Sequence, residues 1–243
     1  MGYSFSDMKE AGQSAEFWDE WWKARLSKGT GDTHPMLPAP LTEYRGRWYD
    51  LANKDNLLIA IMREYGLRTV LCAGNGVSQE PHTLAAAGFD VTALDISPIA
   101  VAFAEKPQGL SCILETRRTG GHAKFVVGNL LDTAVCPGPF DVIIERRTVQ
   151  RFAEQEWAAA LEALLGRLSK TGLFLSQCLD DSFPPERGWA FHETGLFHAS
   201  EGWFREHRWA IWDGAPSSTV TGRVAWLIRS GSMKPPPSAK GNS

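Results

Sequence analysis

Two glycines and one aspartate form the clearest chemical pattern in the sequence. Gly74, Asn75 and Gly76 follow a short apolar run, and Asp95 ends the next such run, 19 residues after Gly76. Glycines let the backbone pass close under a ligand, and a carboxylate at the tip of the neighbouring strand can accept both hydrogen bonds of a ribose diol. The spacing therefore predicts a binding site for a cofactor that contains adenosine. The structural alternatives are a tight turn at the glycines and a helix cap at Asp95, although Ser97 is better placed to be that cap.

The residues after the glycines separate two classes of adenosine cofactor. A nicotinamide dinucleotide fingerprint has a third glycine, where this chain has Gln79. Glu80 would also repel a pyrophosphate at the start of the following helix. S-adenosylmethionine has no phosphate, and its amino group and sulfonium are cationic. We therefore expect S-adenosylmethionine as the cofactor and S-adenosylhomocysteine as the product, with a nicotinamide-dependent oxidoreductase as the less favoured alternative.

A third predicted strand ends close to two groups that could recognise adenine. The Asn129 side chain can accept a hydrogen bond from the adenine amino group, and the backbone N–H of Leu130 can donate to a ring nitrogen. Asp132 competes for the same amino group, with a structural turn as its alternative role. We expect Asn129 and Leu130 to contact the cofactor.

Arg146, Asp180 and His198 are the candidate catalytic residues. Arg146 follows the fourth predicted strand and Asp180 the fifth, at the edge of the sheet where an acceptor would lie. Methyl transfer from a sulfonium needs alignment and a dry pocket, but an amine or hydroxyl acceptor would also need a base such as His198 or Asp180. An ion pair with Glu145 or Glu154 is the structural alternative for Arg146.

Alternating strands and helices must position these residues. Strands are predicted over 68–73, 90–95, 124–129, 140–145 and 173–179, and helices over 78–88, 97–106 and 154–172. This alternation indicates an α/β protein with a doubly wound, Rossmann-like and mostly parallel sheet. Strands over 208–213 and 221–230, separated by a short turn, predict a C-terminal antiparallel hairpin and seven strands in all. A helix capped by Ser200 is predicted over 199–207, after a long aromatic loop.

The N-terminal region is rich in tryptophan. Residues 14–28 place Phe17, Trp18, Trp21 and Trp22 at helical spacing, and residues 54–66 predict a second helix. The aromatic stripe either caps a hydrophobic face or lines a ligand cavity, and composition slightly favours the cap.

The predicted elements divide the chain into three parts. We expect an N-terminal helical lid and connection over 1–53 and a cofactor-binding domain over 54–230. Residues 231–243 have few apolar side chains, which is typical of a disordered tail.

The composition excludes several classes of protein. The 243 residues are 43% hydrophobic and 22% charged, with 25 basic and 28 acidic side chains and a formal net charge of −3. No global basic field attracts a phosphate backbone, so we expect no nucleic acid partner. No apolar stretch of about 18 residues and no signal peptide pattern is found, so we expect a cytoplasmic protein without a membrane partner. The cysteines form no CxxC pair and the histidines no HExxH motif, so no metal is expected, and we expect a monomer or a weak homodimer.

Residues 14–229 resemble the class I S-adenosylmethionine-dependent methyltransferases. The segment LCAGNGVS is similar to the LDxGxGxG segment of that family, with Gly74 and Gly76 in matching positions. Cys72 stands where an acidic residue is common, and Ser78 replaces the third glycine. The resemblance implies the Rossmann-like fold, S-adenosylmethionine as cofactor and a glycine loop that holds it.

Within this superfamily, the likeness is closest to thiopurine-methyltransferase-like enzymes, which act on small molecules. GFDVTALDISPIAV is similar to their second strand, where an acidic residue precedes a hydrophobic residue and serine, and FDVIIERRTVQ is similar to their FDxIxDRxAL. The resemblance implies cofactor contacts at Ile96 and Glu145 and places Arg146 near the acceptor pocket. It also implies that Trp18 and Trp22, similar to a WxxxW pair, fold over the cofactor.

The acceptor is restricted by a motif that the sequence lacks. No NPPY-like or DPPY-like tetrad follows the fourth strand, which argues against methylation of nucleobases and glutamine. We therefore expect transfer to sulfur, nitrogen or another soft nucleophile of a small molecule. The alternative from another class is a non-catalytic scaffold that binds S-adenosylmethionine and presents the tryptophan-rich helix to a partner.

Overall fold

The computed structural model describes residues 14–27, 57–107, 110–146, 148–179, 204–213 and 221–229. The α-helices in these ranges are α1 (Ala15–Leu26), α2 (Leu57–Glu64), α3 (Glu80–Ala86), α4 (Pro98–Ala104), α5 (Leu110–Thr119) and α6 (Trp157–Leu165). The strands are β1 (Thr69–Ala73), β2 (Asp90–Asp95), β3 (His122–Val127), β4 (Phe140–Arg146), β5 (Leu168–Leu179), β6 (Phe204–Asp213) and β7 (Thr221–Arg229). Two short 3-10 helices, Val149–Arg151 and Glu154–Glu156, lie between β4 and α6.

The strands form one sheet in the order β3-β2-β1-β4-β5-β7-β6. Strands β1 to β5 are parallel, with β1 at the centre of this part between β2 and β4. Strand β7 runs antiparallel to β5, and β6 runs antiparallel to β7. The order reverses beside β1, so the carboxyl ends of β1, β2 and β4 surround the switch point where ligands bind in doubly wound sheets.

Two apolar clusters hold the helices against the sheet. The larger one packs α6 on the central strands and includes Leu71, Ile143, Trp157 and Phe174, all of them buried. The smaller one packs tryptophans of α1 against Val77 and against α4. Helix α1 is thereby attached at the carboxyl ends of the strands.

The parallel sheet confirms the predicted doubly wound architecture. The strand predicted over 90–95 has the predicted bounds, and the other four parallel strands lie within a few residues of their predicted positions. Ser97 caps α4 as expected, because its Oγ accepts a hydrogen bond from the Ala100 N–H at 3.1 Å.

Two predicted helices are wrong in part, and helix α5 (Leu110–Thr119) was not predicted. The helix predicted over 154–172 ends at Leu165, because Leu168 already pairs with Phe140 as the first residue of β5. The helix predicted over 199–207 is wrong over its last four residues, which lie in β6 and gain backbone partners on β7 that a short helix would lack. Residues 199–203 with Ser200, residues 214–220 and the tail lie outside the described residues.

Within the described ranges, every helix is too short or too polar to cross a membrane.

Candidate functional site

A cavity lies at the carboxyl ends of β1, β2 and β4. Three tryptophans of α1 line one side, and the glycine loop, defined here as residues 74–76, lines another. The ends of β2 and β4 contribute Asp95, Ile96 and Arg146, and the turn after β4 contributes Thr148. The structure therefore brings eight predicted cofactor residues to one place: Trp18, Trp22, Gly74, Asn75, Gly76, Asp95, Ile96 and Leu130.

The glycine loop requires glycine at both ends. Gly74 and Gly76 have positive φ angles of 62° and 55°, which other residues rarely adopt. A Cβ atom on Gly74 would lie 2.2 Å from the Thr148 side chain, and one on Gly76 would lie 2.8 Å from the Trp22 ring. Thr148 and Trp22 therefore pack directly on the loop and leave no room for a side chain at either glycine.

Asp95 holds the glycine loop and the start of α4 in place. Its Oδ2 accepts a hydrogen bond from the Gly76 N–H at 2.7 Å, and its Oδ1 accepts one from the Ser97 N–H at 2.9 Å. Burial raises the pKa of this carboxyl group, while these N–H groups favour its charged form and partly offset the rise. Each oxygen retains a further lone pair, so the carboxylate can also accept from a ribose diol.

Helix α1 is attached to α4 through Asp19. The Asp19 carboxylate accepts a hydrogen bond from the Ser97 hydroxyl and one from the Ile99 N–H at 3.3 Å. Trp21 and Trp22 are buried, and Trp21 contacts both Trp18 and Trp22 edge to face. One carboxylate and an aromatic cluster therefore keep α1 over the cavity.

Glu145 supports the site from behind the cavity wall. It is 1% exposed, accepts a hydrogen bond from the Ser176 hydroxyl, and accepts another from the Thr148 N–H at 3.0 Å. Burial raises the pKa of Glu145 to about 7, and these hydrogen bonds oppose the rise. The Thr148 hydroxyl in turn donates to the Ala73 carbonyl at 3.1 Å, which fixes the turn after β4 against the glycine loop.

Arg146 forms an ion pair that neither sequence interpretation predicted. Its guanidinium pairs with the Glu80 carboxylate at the start of α3, whereas Glu145 and Glu154 were the expected partners. Both partners line the cavity, with Glu80 fully buried and Arg146 16% exposed. Cys72 lines the cavity nearby, and burial raises the pKa of its thiol to about 12, against the smaller opposing effect of Arg146. The thiol is therefore neutral at ordinary pH.

The remaining predicted residues have different positions. Ile96 and Leu130 line the cavity. The Asn129 side-chain oxygen, Oδ1, accepts a hydrogen bond from the Leu131 N–H at 2.8 Å and so forms a local turn. Asp180 and His198 lie outside the described residues. No group of three or more metal-ligating side chains was found in the part of the chain that the structure describes.

Sequence reasoning missed three residues that shape the site. Asp19 and Thr148 are ordinary polar residues in the sequence, and their contacts depend on elements that are far apart along the chain. Glu80 was noticed in the sequence only as a carboxylate that is unfavourable for phosphate binding after a glycine loop, and its contact with Arg146 was not predicted.

The residues fit S-adenosylmethionine in three respects. The two loop glycines with positive φ line the cavity without side chains, Asp95 supplies a buried acceptor, and aromatic faces from α1 suit a sulfonium. The buried Glu80 does not suit a dinucleotide pyrophosphate.

Comparisons with known proteins agree with this fit. Residues 71–176 match the family model described as a methyltransferase domain. A search of curated proteins found no matching sequence.

Solved structures similar to this one include methyltransferases of low sequence identity. Magnesium protoporphyrin IX methyltransferase from Synechocystis PCC 6803, with bound S-adenosylmethionine, is 18% identical, with 95% of this chain and 99% of that chain covered and a TM-score of 0.57. The N-methyltransferase NodS from Bradyrhizobium japonicum WM9 is 15% identical, with 86% and 98% covered and a TM-score of 0.57. The plantazolicin methyltransferase BpumL is 14% identical, with 92% and 98% covered and a TM-score of 0.57. NodS and BpumL were solved with S-adenosylhomocysteine.

These likenesses show the fold, and the family match lies on the strands that carry the cavity. Together they support S-adenosylmethionine as cofactor and S-adenosylhomocysteine as product. The chain thus has the Rossmann-like fold of these solved methyltransferases, and its residues 71–176 match the family model described as a methyltransferase domain.

Proposed function

We propose that this chain is a methyltransferase that transfers the methyl group of S-adenosylmethionine to a small-molecule acceptor by direct displacement. The observation that carries the proposal is that Asp95 and the glycine loop line one cavity and are joined by a 2.7 Å hydrogen bond. The match of residues 71–176 to a methyltransferase domain supports the same assignment.

The residues of the chain bind, align and shield the reactants. When bound, S-adenosylmethionine supplies a methyl group on a positively charged sulfur, which is already activated for transfer. Asp95 accepts hydrogen bonds from the ribose hydroxyls, and Ile96 and Leu130 pack beside the adenine. Trp18 and Trp22 exclude water and present aromatic faces to positive charge.

We assign to α1 the role of a lid. The helix reaches the cavity through Trp22, which contacts Gly76, and it is held by the Asp19 contacts with the start of α4. A ligand that reaches the Gly76 backbone must displace the Trp22 ring, since the ring lies on the loop, and we assign this displacement to a movement of α1. Lids come from parts of a structure that open at low free-energy cost.

A small-molecule acceptor is supported by the names of solved proteins with a similar fold. The related structures are named for magnesium protoporphyrin IX and plantazolicin, and NodS is named as an N-methyltransferase. A base role for Asp180 or His198 stays a prediction, as does an acceptor contact from Arg146. A soft nucleophile such as a thiolate would need no base.

Binding experiments test the cofactor. Isothermal titration of the full chain with S-adenosylmethionine, S-adenosylhomocysteine and NAD should show binding of the first two only. Binding of NAD alone would overturn the proposal in favour of an oxidoreductase.

Turnover experiments test the activity. S-adenosylhomocysteine release should be followed over a panel of thiols, amines, hydroxyl compounds and halides, with Asp95→Ala as the binding-deficient control. We expect at least one acceptor to give release that Asp95→Ala lacks. Tight cofactor binding without release on any acceptor of the panel would favour the non-catalytic scaffold.

A further inference from the structure

An ion pair on the cavity wall joins two elements that are distant in the sequence. Glu80 is the first residue of α3 and Arg146 the last of β4, and their side chains pair at the cavity surface. Glu80 is 3% exposed. Withdrawing two charges from water costs several kcal/mol per ion, and a well-packed apolar pair would join the two elements at least as well. A purely structural role therefore explains the pair poorly.

The carboxylates of the cavity are separated into two places. In the described part of its lining, the carboxylates are Asp95 and Glu80. Asp95 lies at the end of β2, while Glu80 contacts the end of β4. Because β1 lies between β2 and β4, these two carboxylates stand on opposite sides of the glycine loop. A ligand with its ribose at Asp95 that extends across the loop presents its other end to Glu80 and Arg146.

We propose that Glu80 and Arg146 together bind the α-amino-acid end of the cofactor. This inference rests on the proposed function. The Glu80 carboxylate accepts from the ligand ammonium, and the Arg146 guanidinium donates to the ligand carboxylate. A carboxylate has about four acceptor positions and a guanidinium five N–H donors, so each partner can bind the ligand while the two remain paired.

The pairing gives specificity for the complete cofactor. A zwitterion matches a neighbouring positive and negative group, whereas an adenosine thioether without the amino-acid part leaves both charges without a ligand partner. In this assignment Arg146 contacts the cofactor, which differs from the acceptor contact predicted from the sequence. Cys72, which lines the cavity nearby, stays neutral and does not compete for the ammonium.

The test compares two ligands that differ only in the proposed contact region. Titration calorimetry on the full chain measures S-adenosylhomocysteine and 5′-methylthioadenosine, which lacks the amino-acid end. The test variant is the double change Glu80→Gln and Arg146→Gln, which removes both charges and leaves neither buried alone. The matched control is Glu115→Gln with Arg118→Gln, an exposed ion pair on α5 away from the cavity.

We expect wild-type protein and the control to prefer S-adenosylhomocysteine by about tenfold or more. The double variant should lose about tenfold or more in affinity for S-adenosylhomocysteine and less than about twofold for 5′-methylthioadenosine. Unchanged affinity for S-adenosylhomocysteine, or equal losses for both ligands, overturns the inference and leaves the proposed function standing. Wild-type protein that binds neither ligand overturns the proposed function itself.

If the double variant does not fold, two single variants test the same inference. Glu80→Gln and Arg146→Lys each keep a hydrogen-bonding side chain at the position. We expect each to lower the preference for S-adenosylhomocysteine by at least about threefold, because a charge or the planar fork is lost. A preference equal to that of wild type in both variants contradicts the inference.

Discussion

Substitution of Asp95 by asparagine should weaken both the fold and the cofactor site. The two carboxylate oxygens serve different N–H groups, Gly76 at 2.7 Å and Ser97 at 2.9 Å. Asparagine has one carbonyl oxygen, so its NH₂ group must face one of these donors. An unsatisfied buried donor costs about 1–3 kcal/mol, offset in part because a neutral amide is easier to bury than a charge. We expect a loss of about 1–2 kcal/mol in the free energy of unfolding.

Measured as free energy, Asp95→Asn should weaken cofactor binding by more than it lowers the free energy of unfolding. A hydrogen bond to a charged group contributes about 1.5–3 kcal/mol, which corresponds to a loss of about tenfold to a hundredfold. Titration with S-adenosylhomocysteine, well below the unfolding transition, measures it. Because the ribose is common to both ligands, affinity for 5′-methylthioadenosine should fall by a similar factor.

Asp141→Asn is the matched control for this prediction. Asp141 also binds backbone N–H groups, those of Arg68 and Thr69, but a single oxygen, Oδ2, accepts both bonds and a third from the Thr69 hydroxyl. An asparagine carbonyl can replace that oxygen, and the site lies at the opposite ends of the strands. Affinity should therefore stay within about twofold of wild type. If Asp95→Asn does the same, the ribose assignment is refuted.

Three further predictions follow from the geometry. Gly76→Ala should lower the melting temperature more than Gly66→Ala, since both have positive φ but only the first Cβ would meet Trp22; equal effects would show that the ring moves freely. Asp19→Ala should speed hydrogen exchange over residues 15–26 and reduce its protection by S-adenosylhomocysteine, and unchanged exchange would mean that the tryptophans alone hold α1. Glu145 has a folded-state pKa raised from 4.5 to about 7, so its contribution to the free energy of unfolding should fall by about 3 kcal/mol as pH rises through that window. Urea unfolding at about pH 5 and pH 7.5 should show this decrease in wild type and not in Glu145→Gln, and parallel pH profiles would contradict it.

The central strands could be predicted because their signals are local. Buried parallel strands are continuous apolar runs, and a glycine or capping serine marks the boundary of the next element, as Ser97 does for α4. The errors lie where tertiary pairing overrides local preference. Residues 169–172 continue a helical pattern, yet β5 begins at Leu168 because β4 supplies a partner strand.

The site was predictable where a residue acts through its own strand or loop. Asp95 and the glycine loop are adjacent because β1 and β2 pair in parallel. Their spacing in the sequence was therefore enough to predict that they lie together. The partner of Arg146 was not predictable, since Glu80 is 66 residues away and meets it only because α3 starts beside the end of β4. The adenine contact of Asn129 stays a prediction, and its side-chain oxygen also accepts a hydrogen bond from the Leu131 N–H in a local turn that the sequence analysis did not predict.

The glycine loop is held from three directions, and this explains why cofactor binding and folding should be coupled. Asp95, at the end of β2, accepts a hydrogen bond from the Gly76 N–H. Thr148, in the turn after β4, donates to the carbonyl of Ala73, which precedes the loop, and Trp22 of α1 packs on Gly76. Because all three elements contact the loop, a ligand that binds the loop stabilises each of them. Helix α1 is held by the Asp19 contacts and its tryptophan cluster and lies outside the sheet, so it can open without disruption of the sheet. The rigid contacts from β2 and β4 keep the loop shaped for the ligand while the lid is open, which limits the conformational cost of binding to the movement of one helix.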